Sequence, residues 1–131
     1  MNELQKRYEP QIEEMVAACR RSAALGYVHS QGGNLSMRVD ENTVLITPTK
    51  VYKGDIGFDS ICVVNMDGRT LYAPAGGKPT GELPFHLRIL SRRPDLRALV
   101  HAHPPILTGF AIAGSDVLSR PFLPEPVLEV G

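Results

Sequence analysis

The segment "ALVHAHPPI", residues 98–106, constrains the fold of this chain most, because an apolar run ends there in two histidines and two prolines. Side chains two positions apart on an extended segment emerge on the same face, with α-carbons roughly 6.6 Å apart. His101 and His103 are then close enough for their imidazoles to converge on one ion. The pattern predicts a metal-site geometry, provided that the segment is a strand.

The composition predicts one globular domain over residues 1–131, with 43% hydrophobic and 21% charged residues. Fourteen basic and fourteen acidic residues cancel and are interspersed, which argues against a nucleic-acid or anionic-membrane partner. The apolar runs are too short to span a bilayer and the acidic start does not resemble a secretion signal, so we expect a cytoplasmic protein. Cys19 and Cys62 lack a Cys-x-x-Cys pattern, and we expect reduced core residues.

The spacing of apolar residues predicts an α/β fold. A helix over residues 3–25 is interrupted or entered near Pro10 and ends at Gly26, and another helix follows Thr80. The Asp67-Gly68 pair predicts a hairpin with a type I′ turn. Strands are predicted at residues 35–39, 43–47, 61–66, 69–73 and 96–103, and a last helix at 105–113. We therefore predict three layers, with helices flanking a central, mostly antiparallel sheet.

Three polar, glycine-rich loops are candidates for binding an anion. In the first loop, residues 30–34, backbone amides near two glycines can form a nest. The third loop, residues 76–82, joins glycines to Thr80 and a helix N-terminus, which favours anions. The second loop offers hydroxyl and ammonium groups from Thr47, Thr49, Lys50 and Lys53. Each loop alone also fits an ordinary turn or solvated loop, and the three together indicate a phosphate pocket.

Glu82 is the residue that would make such a pocket catalytic. A carboxylate at the start of a helix is stabilised by the helix dipole, so one role is electrostatic capping. Near a divalent cation the same carboxylate serves as an acid/base group or as a metal ligand. Sequence spacing leaves both roles open.

Four motifs, "GGNLS", "ITPTK", "KPTGELPFH" and "VHAHPP", follow one another along the chain. In this order they resemble the successive motifs of the class II aldolase/adducin family, typified by L-fuculose-1-phosphate aldolase. The resemblance covers essentially the whole chain, including "LPEPVLEVG" at its end. Four ordered motifs are far more specific than any one of them.

The resemblance implies a role for each matched residue. His101 and His103 are two of the three histidines that hold a catalytic zinc or another divalent metal, and Glu82 is the acid/base. The phosphate-binding positions are Gly33, Asn34, Thr49, Lys50, Thr80 and Gly81. Two of them depart from the family pattern, since Lys50 stands where glycine is frequent and Gly81 where a second serine is common. The anionic group bound here is thus expected to differ from a simple phosphate.

The implied function is a metal-dependent aldolase-type lyase. It would cleave a carbon–carbon bond in a phosphorylated ketose or related sugar acid through a zinc-stabilised enediolate, in a homotetramer with active sites at subunit contacts. Family members continue beyond the position of Gly131, and that portion supplies the third zinc histidine and an acid/base tyrosine. The alternatives are a non-catalytic adducin-like assembly module, or an epimerase or dehydratase on the same scaffold.

The other two histidines do not match the remaining ligand position. His86 lies four residues after Glu82, so it either shares a helix face with that carboxylate near the metal or is a packed or capping histidine. His29 precedes the first loop and is expected in the pocket wall or on the surface.

Overall fold

The computed structural model describes residues 3–116. The elements along the chain are α1 (Glu3–Arg7), α2 (Glu9–Ala24), β1 (Asn34–Arg38), β2 (Thr43–Ile46), a short 3-10 helix (Phe58–Ser60), β3 (Cys62–Asn65), β4 (Thr70–Tyr72), α3 (Leu83–Arg92), β5 (Ala98–His101) and α4 (Pro105–Ile112). This mixture confirms the predicted α/β class. None of the helices within the described range has the length and apolar character needed to cross a membrane.

The five strands form one sheet in the order β4-β3-β2-β1-β5, and every neighbouring pair is antiparallel. All four residues of the central strand β2 are buried, which is expected when both faces of a sheet are covered. Because side chains alternate along a strand, Leu45 faces one helix layer, while Val44 and Ile46 face the other. The predicted three-layer architecture is therefore confirmed.

Each face of the sheet has its own apolar core. On the first face α2 packs against the sheet through a cluster of buried residues: Tyr8, Ile12, Met15, Val16, Cys19, Leu35, Leu45, Ile56, Ile61 and Val63. On the second face α3 covers a smaller cluster of Val44, Ile46, Cys62, Val64 and Leu90. The sheet thus separates two apolar layers, and the second layer continues towards β1 and β5.

The first predicted helix is confirmed with its break. Tyr8 separates α1 from α2, and Pro10 lies in the first turn of α2, where its missing N–H leaves no bond unmade. The chain leaves the helix through Gly26, whose φ of +72° suits a residue without a β-carbon. Cys19 and Cys62 are buried on opposite faces of the sheet and are free thiols, as expected.

The hairpin between β3 and β4 is confirmed, but its predicted turn type is wrong. Gly68 has φ of +85°, whereas Asp67 is not among the residues with positive φ, and a type I′ turn needs both. The amide of Gly68 donates to the carbonyl of Asn65 at 2.9 Å, and the amide of Asn65 donates to the carbonyl of Arg69 at 2.9 Å. These bonds close a three-residue loop with glycine in the left-handed position, which is the next most common hairpin connection.

Two boundaries near the histidine motif also differ from the prediction. Strand β5 ends at His101, so His103 lies two residues beyond the strand rather than on it. Pro104 and Pro105 follow at once, and a proline lacks the N–H that a strand ladder requires. At the other boundary α3 begins at Leu83, which places Glu82 just before the helix rather than inside its first turn.

Candidate active site

Strand β1 presents two polar side chains to the second face of the sheet. Asn34 and Ser36 are only 6% and 2% exposed and alternate with Leu35, which enters the core on the opposite face. Asn34 pairs with His101 and Ser36 pairs with Leu99 across the β1–β5 ladder. Residues directly opposite each other in a ladder share a face, so His101 joins this polar row at the end of the second apolar layer.

His86 reaches this row from helix α3 and is fully buried. Its Nδ1 lies 2.7 Å from the hydroxyl of Ser36, and its Nε2 contacts the side-chain oxygen of Asn34. Because that amide oxygen only accepts, Nε2 carries the proton and Nδ1 accepts from the serine. Burial lowers the pKa of His86 below its ordinary value, which favours this neutral ring. The expectation of a packed histidine is met, since both ring nitrogens are engaged.

Glu82 does not cap its own helix through its side chain. Its Oε2 accepts a hydrogen bond of 2.9 Å from the Nδ2 of Asn34 and also contacts the Nδ1 of His101. The bond from Asn34 is the largest cause that lowers the pKa of Glu82, and the contact with His101 adds to it. An ionised carboxylate therefore faces the histidine pair, while its place at the N-cap of α3 keeps the electrostatic role towards the helix open.

The two histidines of the motif converge although only one lies on the strand. Their rings are 4.9 Å apart between centroids, and the two Nε2 atoms are 3.1 Å apart. Since His101 donates through Nδ1 to Glu82, the Nε2 of the neutral ring is an acceptor, and it takes the hydrogen bond from Nε2 of His103. The backbone amide of His103 is fixed by a 2.8 Å bond to the carbonyl of Tyr27. The exposed ring of His103 thus meets the half-buried ring of His101.

The pair fits two neighbouring ligands of a tetrahedral metal. Zinc–nitrogen bonds of about 2.0–2.1 Å at a tetrahedral angle place the two nitrogens roughly 3.3–3.4 Å apart, close to the 3.1 Å between His101 and His103. The hydrogen bond from His101 Nδ1 to a carboxylate is the usual support of a metal-bound imidazole. Within residues 3–116, however, no three histidine, cysteine or acidic side chains are grouped as a complete metal site.

The first glycine loop lies against these histidines. Gly33 has φ of +69°, and a β-carbon there would stand 2.5 Å from Val28 Cγ1 and 2.9 Å from the carbonyl oxygen of His101. A β-carbon on Gly32 would lie 3.6 Å from Nδ1 of His103. Glycine is therefore required at position 33 for the loop to pass close to β5.

The second and third loops run side by side. Pro48 and Pro79 form an antiparallel bridge, and the amide of Thr49 donates to the carbonyl of Lys78 at 3.0 Å. The amide of Thr80 donates to the carbonyl of Thr47 at 3.1 Å. The loops therefore meet, as a shared anion pocket requires.

The predicted phosphate-binding residues differ in how accessible each of them is to a ligand. Lys50 and Gly81 are exposed, Thr49 is half-buried, and Thr80 is only 9% exposed. Gly33 is buried at the wall of the histidine site, and both ends of the Asn34 side-chain amide are engaged by Glu82 and His86.

Two residues offered as loop donors instead hold the loops together. The hydroxyl of Thr47, which is fully buried, accepts the amide of Leu35 at 3.2 Å. Lys53 is 1% exposed, and its Nζ donates to the carbonyls of Gln31 at 3.2 Å and Val51 at 2.8 Å. Burial lowers the pKa of Lys53. Its ammonium links the first loop to the second, so neither a surface lysine nor a free anion ligand describes it.

Ser36 is the site residue that sequence reasoning did not single out. A polar residue every second position on an otherwise apolar strand, Asn34 and then Ser36, is the signal that marks it. His29 is exposed, in agreement with one of its two expected positions.

The fold and the candidate site together define a class of protein. Its members are three-layer α/β proteins with a carboxylate and a histidine pair at one end of an antiparallel sheet. The model of the family "Class II Aldolase and Adducin N-terminal domain" matches residues 13–128. The chain belongs to this family, as its ordered motifs predicted.

Two curated relatives have different reactions in their names. The 3-oxo-tetronate 4-phosphate decarboxylase of Haemophilus influenzae is 37% identical over 126 residues, covering 92% of this chain and 58% of that protein. The L-fuculose phosphate aldolase of Methanococcus vannielii is 37% identical over 101 residues, covering 77% of this chain and 53% of that protein. This chain therefore spans about half the length of these curated relatives.

The solved structure of YgbL from Klebsiella pneumoniae, described as a candidate aldolase, epimerase or decarboxylase, has the same fold. It superposes with a TM-score of 0.72 at 29% identity, covering 79% of this chain and 48% of the other. The relatives are enzymes of one superfamily, and their reactions differ.

Proposed function

We propose that this chain supplies the carboxylate and histidine part of the active site of a metal-dependent lyase. The reaction is cleavage of a carbon–carbon bond in a phosphorylated ketose or related sugar acid. The observation that carries this proposal is the convergence of His101 and His103, with Nε2 atoms 3.1 Å apart, beside the carboxylate of Glu82.

His101 and His103 would hold the metal through their Nε2 atoms. Zinc is the proposed ion, because two imidazoles at this spacing suit its tetrahedral geometry. A divalent cation at this position supplies Lewis-acid polarisation of the substrate's carbonyl oxygen. The chain's own contribution is to keep the His101 lone pair available, which the hydrogen bond from its Nδ1 to Glu82 does.

Glu82 is proposed to move the proton at the reacting carbon. The carboxylate is half exposed, with its side chain at 46% of full accessibility, so a substrate in the pocket can reach it. It is held by Asn34 and His101, which leaves it ionised and ready to accept a proton. In aldol cleavage Glu82 would take the proton that the substrate's hydroxyl loses as the carbon–carbon bond breaks and the aldehyde forms, and would deliver it to the carbon that keeps the electron pair of that bond.

The three loops are proposed to hold the substrate's anionic group. Backbone amides beside Gly33 and Gly81, the hydroxyls of Thr49 and Thr80, and the ammonium of Lys50 are the candidate contacts. The support is that the second and third loops are hydrogen-bonded to each other and the first loop lies against the histidines. A charged lysine in this set favours a group that carries more than one anionic oxygen.

Decarboxylation is a second candidate within the same chemistry. Aldol cleavage and decarboxylation both break a carbon–carbon bond and leave electrons on the same kind of carbon, so they need the same carboxylate and cation. The relative that matches 92% of this chain is named a decarboxylase, which favours this candidate. An adducin-like assembly module needs no aligned carboxylate and histidine pair, and it is the outcome if no metal binds.

We also propose that the protein acts in the cytoplasm as a homo-oligomer, a tetramer by family resemblance. Apolar side chains along β5 and α4 are exposed and suit an interface; they are Val100, Ile106, Leu107, Phe110 and Ile112. Light scattering during gel filtration measures the assembly, and a stable monomer would remove this part of the proposal.

Metal analysis of the purified chain tests the central proposal. After dialysis against Zn²⁺, the protein is expected to retain one ion per chain, and His101→Ala and His103→Ala are each expected to lose it. His29→Ala is the matched control, because this exposed histidine lies outside the pair. Equal zinc content in all four proteins would contradict the proposal.

A substrate panel then separates the two reactions. Phosphorylated ketoses and phosphorylated 3-oxo sugar acids are incubated with the metal-loaded chain, and the release of aldehyde or of carbon dioxide is measured. Aldehyde release supports aldol cleavage, and carbon dioxide release supports decarboxylation.

A further inference from the structure

A continuous row of hydrogen bonds links the interior of the protein to the histidine pair. Ser36 contacts Nδ1 of His86 at 2.7 Å, Nε2 of His86 contacts Asn34, and Asn34 donates to Glu82 at 2.9 Å. Glu82 in turn accepts from Nδ1 of His101. We name the first four residues, Ser36, His86, Asn34 and Glu82, the Ser36–Glu82 relay.

While Glu82 is a carboxylate, the donors and acceptors along the relay have only one consistent arrangement. A carboxylate accepts on both oxygens, so the end of Asn34 that meets it is the NH₂ group. The amide oxygen of Asn34 then faces His86, whose Nε2 must donate. The remaining nitrogen of His86 accepts from the hydroxyl of Ser36, which lies in the buried layer.

The reversed arrangement of donors and acceptors is unfavourable at each contact. If His86 carried its proton on Nδ1, its Nε2 lone pair would face the amide oxygen of Asn34, and two acceptors would meet in a buried site. Asn34 would then have to turn over and present its oxygen to Glu82. A carboxylate facing that oxygen loses a hydrogen bond and gains a repulsive contact, and a buried polar group without a partner is strongly disfavoured.

We infer that Ser36, His86 and Asn34 are positioning residues, which set the orientation of Glu82 and through it the tautomer of His101. None of the three is a metal ligand or an acid/base group in this inference. His86 and Ser36 are buried, with 0% and 2% exposure, so they act through Asn34 rather than on the substrate. The inference also gives Asn34 a role other than binding the substrate's anion. It deepens the proposed function and rests on it only for its consequence in metal affinity.

The direct test is the tautomer of His101 in the metal-free protein, read by long-range proton–nitrogen correlation NMR. The wild-type chain is expected to show His101 protonated on Nδ1 and His86 protonated on Nε2. His86→Phe removes the relay at its buried centre, and His101 is then expected to show a mixture of tautomers. Leu90→Ala is the matched control, because Leu90 is equally buried on the same helix and belongs to the apolar cluster of the same sheet face.

Zinc affinity is the second measurement. Loss of a hydrogen-bonding partner behind a metal ligand weakens binding by about 10–100-fold, and His86→Phe is expected to raise the zinc Kd by that factor. Leu90→Ala is expected to destabilise the fold while changing the zinc Kd by less than about twofold. Ser36→Ala, which leaves Nδ1 of the buried His86 without its partner, carries the test if His86→Phe does not fold. It is expected to loosen the relay and to give His101 a mixture of tautomers, to a smaller extent than His86→Phe.

The outcomes separate the inference from the proposed function. If His101 keeps its tautomer in His86→Phe and Ser36→Ala as it does in Leu90→Ala, the relay is overturned even when zinc binds normally. If the wild-type chain binds no zinc, the proposed function fails, and the tautomer of His101 still decides whether the relay positions it.

Discussion

Gly33→Ala is the single substitution whose effect on both the fold and the site follows most directly from the structure. Gly33 occupies φ of +69°, and a new β-carbon would stand 2.5 Å from Val28 Cγ1 and 2.9 Å from the carbonyl oxygen of His101. Val28 is 2% exposed, so its methyl group has little free space to move into. The carbonyl belongs to the backbone of β5, so relief of the contact has to displace the strand that carries His101.

The expected loss of stability comes from two sources. Placing a residue with a β-carbon in the left-handed region costs about 1–2 kcal/mol. Forcing an extra methyl group into a packed site costs about 1–3 kcal/mol more, since neither neighbour can move freely. The free energy of unfolding is therefore expected to fall by roughly 2–5 kcal/mol.

Urea denaturation followed by circular dichroism measures this loss, and zinc titration of the folded variant reports the displacement of His101. Gly57→Ala is the matched control, because Gly57 has φ of −116° and nothing within 4 Å of a β-carbon built there. We expect the control to stay within about 0.5 kcal/mol of wild type, as most substitutions without a steric conflict do. If Gly33→Ala is as stable as the control and binds zinc as tightly as wild type, the close approach of the first loop to β5 is wrong.

Three further predictions concern other parts of the molecule. Glu82→Gln keeps an acceptor for Asn34 and His101 but removes the base, so lyase turnover is expected to fall by about 10²–10⁴-fold. A steady-state assay that finds wild-type turnover would show that Glu82 does not transfer the proton. Arg38→Met removes a guanidinium that donates to the carbonyls of Leu90, Pro94 and Leu96 at 3.2, 2.9 and 2.7 Å, and the free energy of unfolding is expected to fall by about 1–3 kcal/mol in urea. Burial raises the pKa of Cys62 from 9.0 to about 11. Between these two pH values the folded chain keeps a proton that the unfolded chain releases, so the free energy of unfolding falls as the pH rises. Urea curves from pH 8 to 11 are expected to show a shallower decline for Cys62→Ala than for wild type, and parallel declines would contradict the assignment.

Local sequence signals were sufficient for most of the fold. The helical repeat of α2, its proline near the start and Gly26 at its end describe short-range events, which depend on residues a few positions apart. The turn at Asp67-Gly68 shows the limit of such signals, since the same dipeptide fits both a two-residue loop and a three-residue loop. Strand pairing decides between the two loops, and a bulge near Val63 and Val64 shifts the register of that pair.

The sequence singled out residue types that the candidate site brings together, but not the contacts between them. His101, His103 and Glu82 followed from motifs, whereas the link from His86 to Ser36 and Asn34 joins positions about fifty residues apart in the sequence. No local spacing predicts which polar residue of a helix will meet which polar residue of a strand. Lys53 was misjudged for the same reason, because its burial depends on two loops closing over it.

The polar row and the apolar core occupy one continuous face of the sheet, and this continuity explains why the site forms where it does. From β3 to β2 the second face carries Cys62, Val64, Val44 and Ile46, and from β1 to β5 it carries Ser36, Asn34 and His101. Helix α3 covers both parts, with Leu90 over the apolar part and His86 over the polar part. The two-residue period of the strands and the helical spacing of α3 therefore extend one packing pattern from a dry core to an exposed carboxylate. A substitution that shifts the register of β1 by one residue would turn Asn34 and Ser36 towards α2 and Leu35 towards His86, so the core and the candidate site would be lost together.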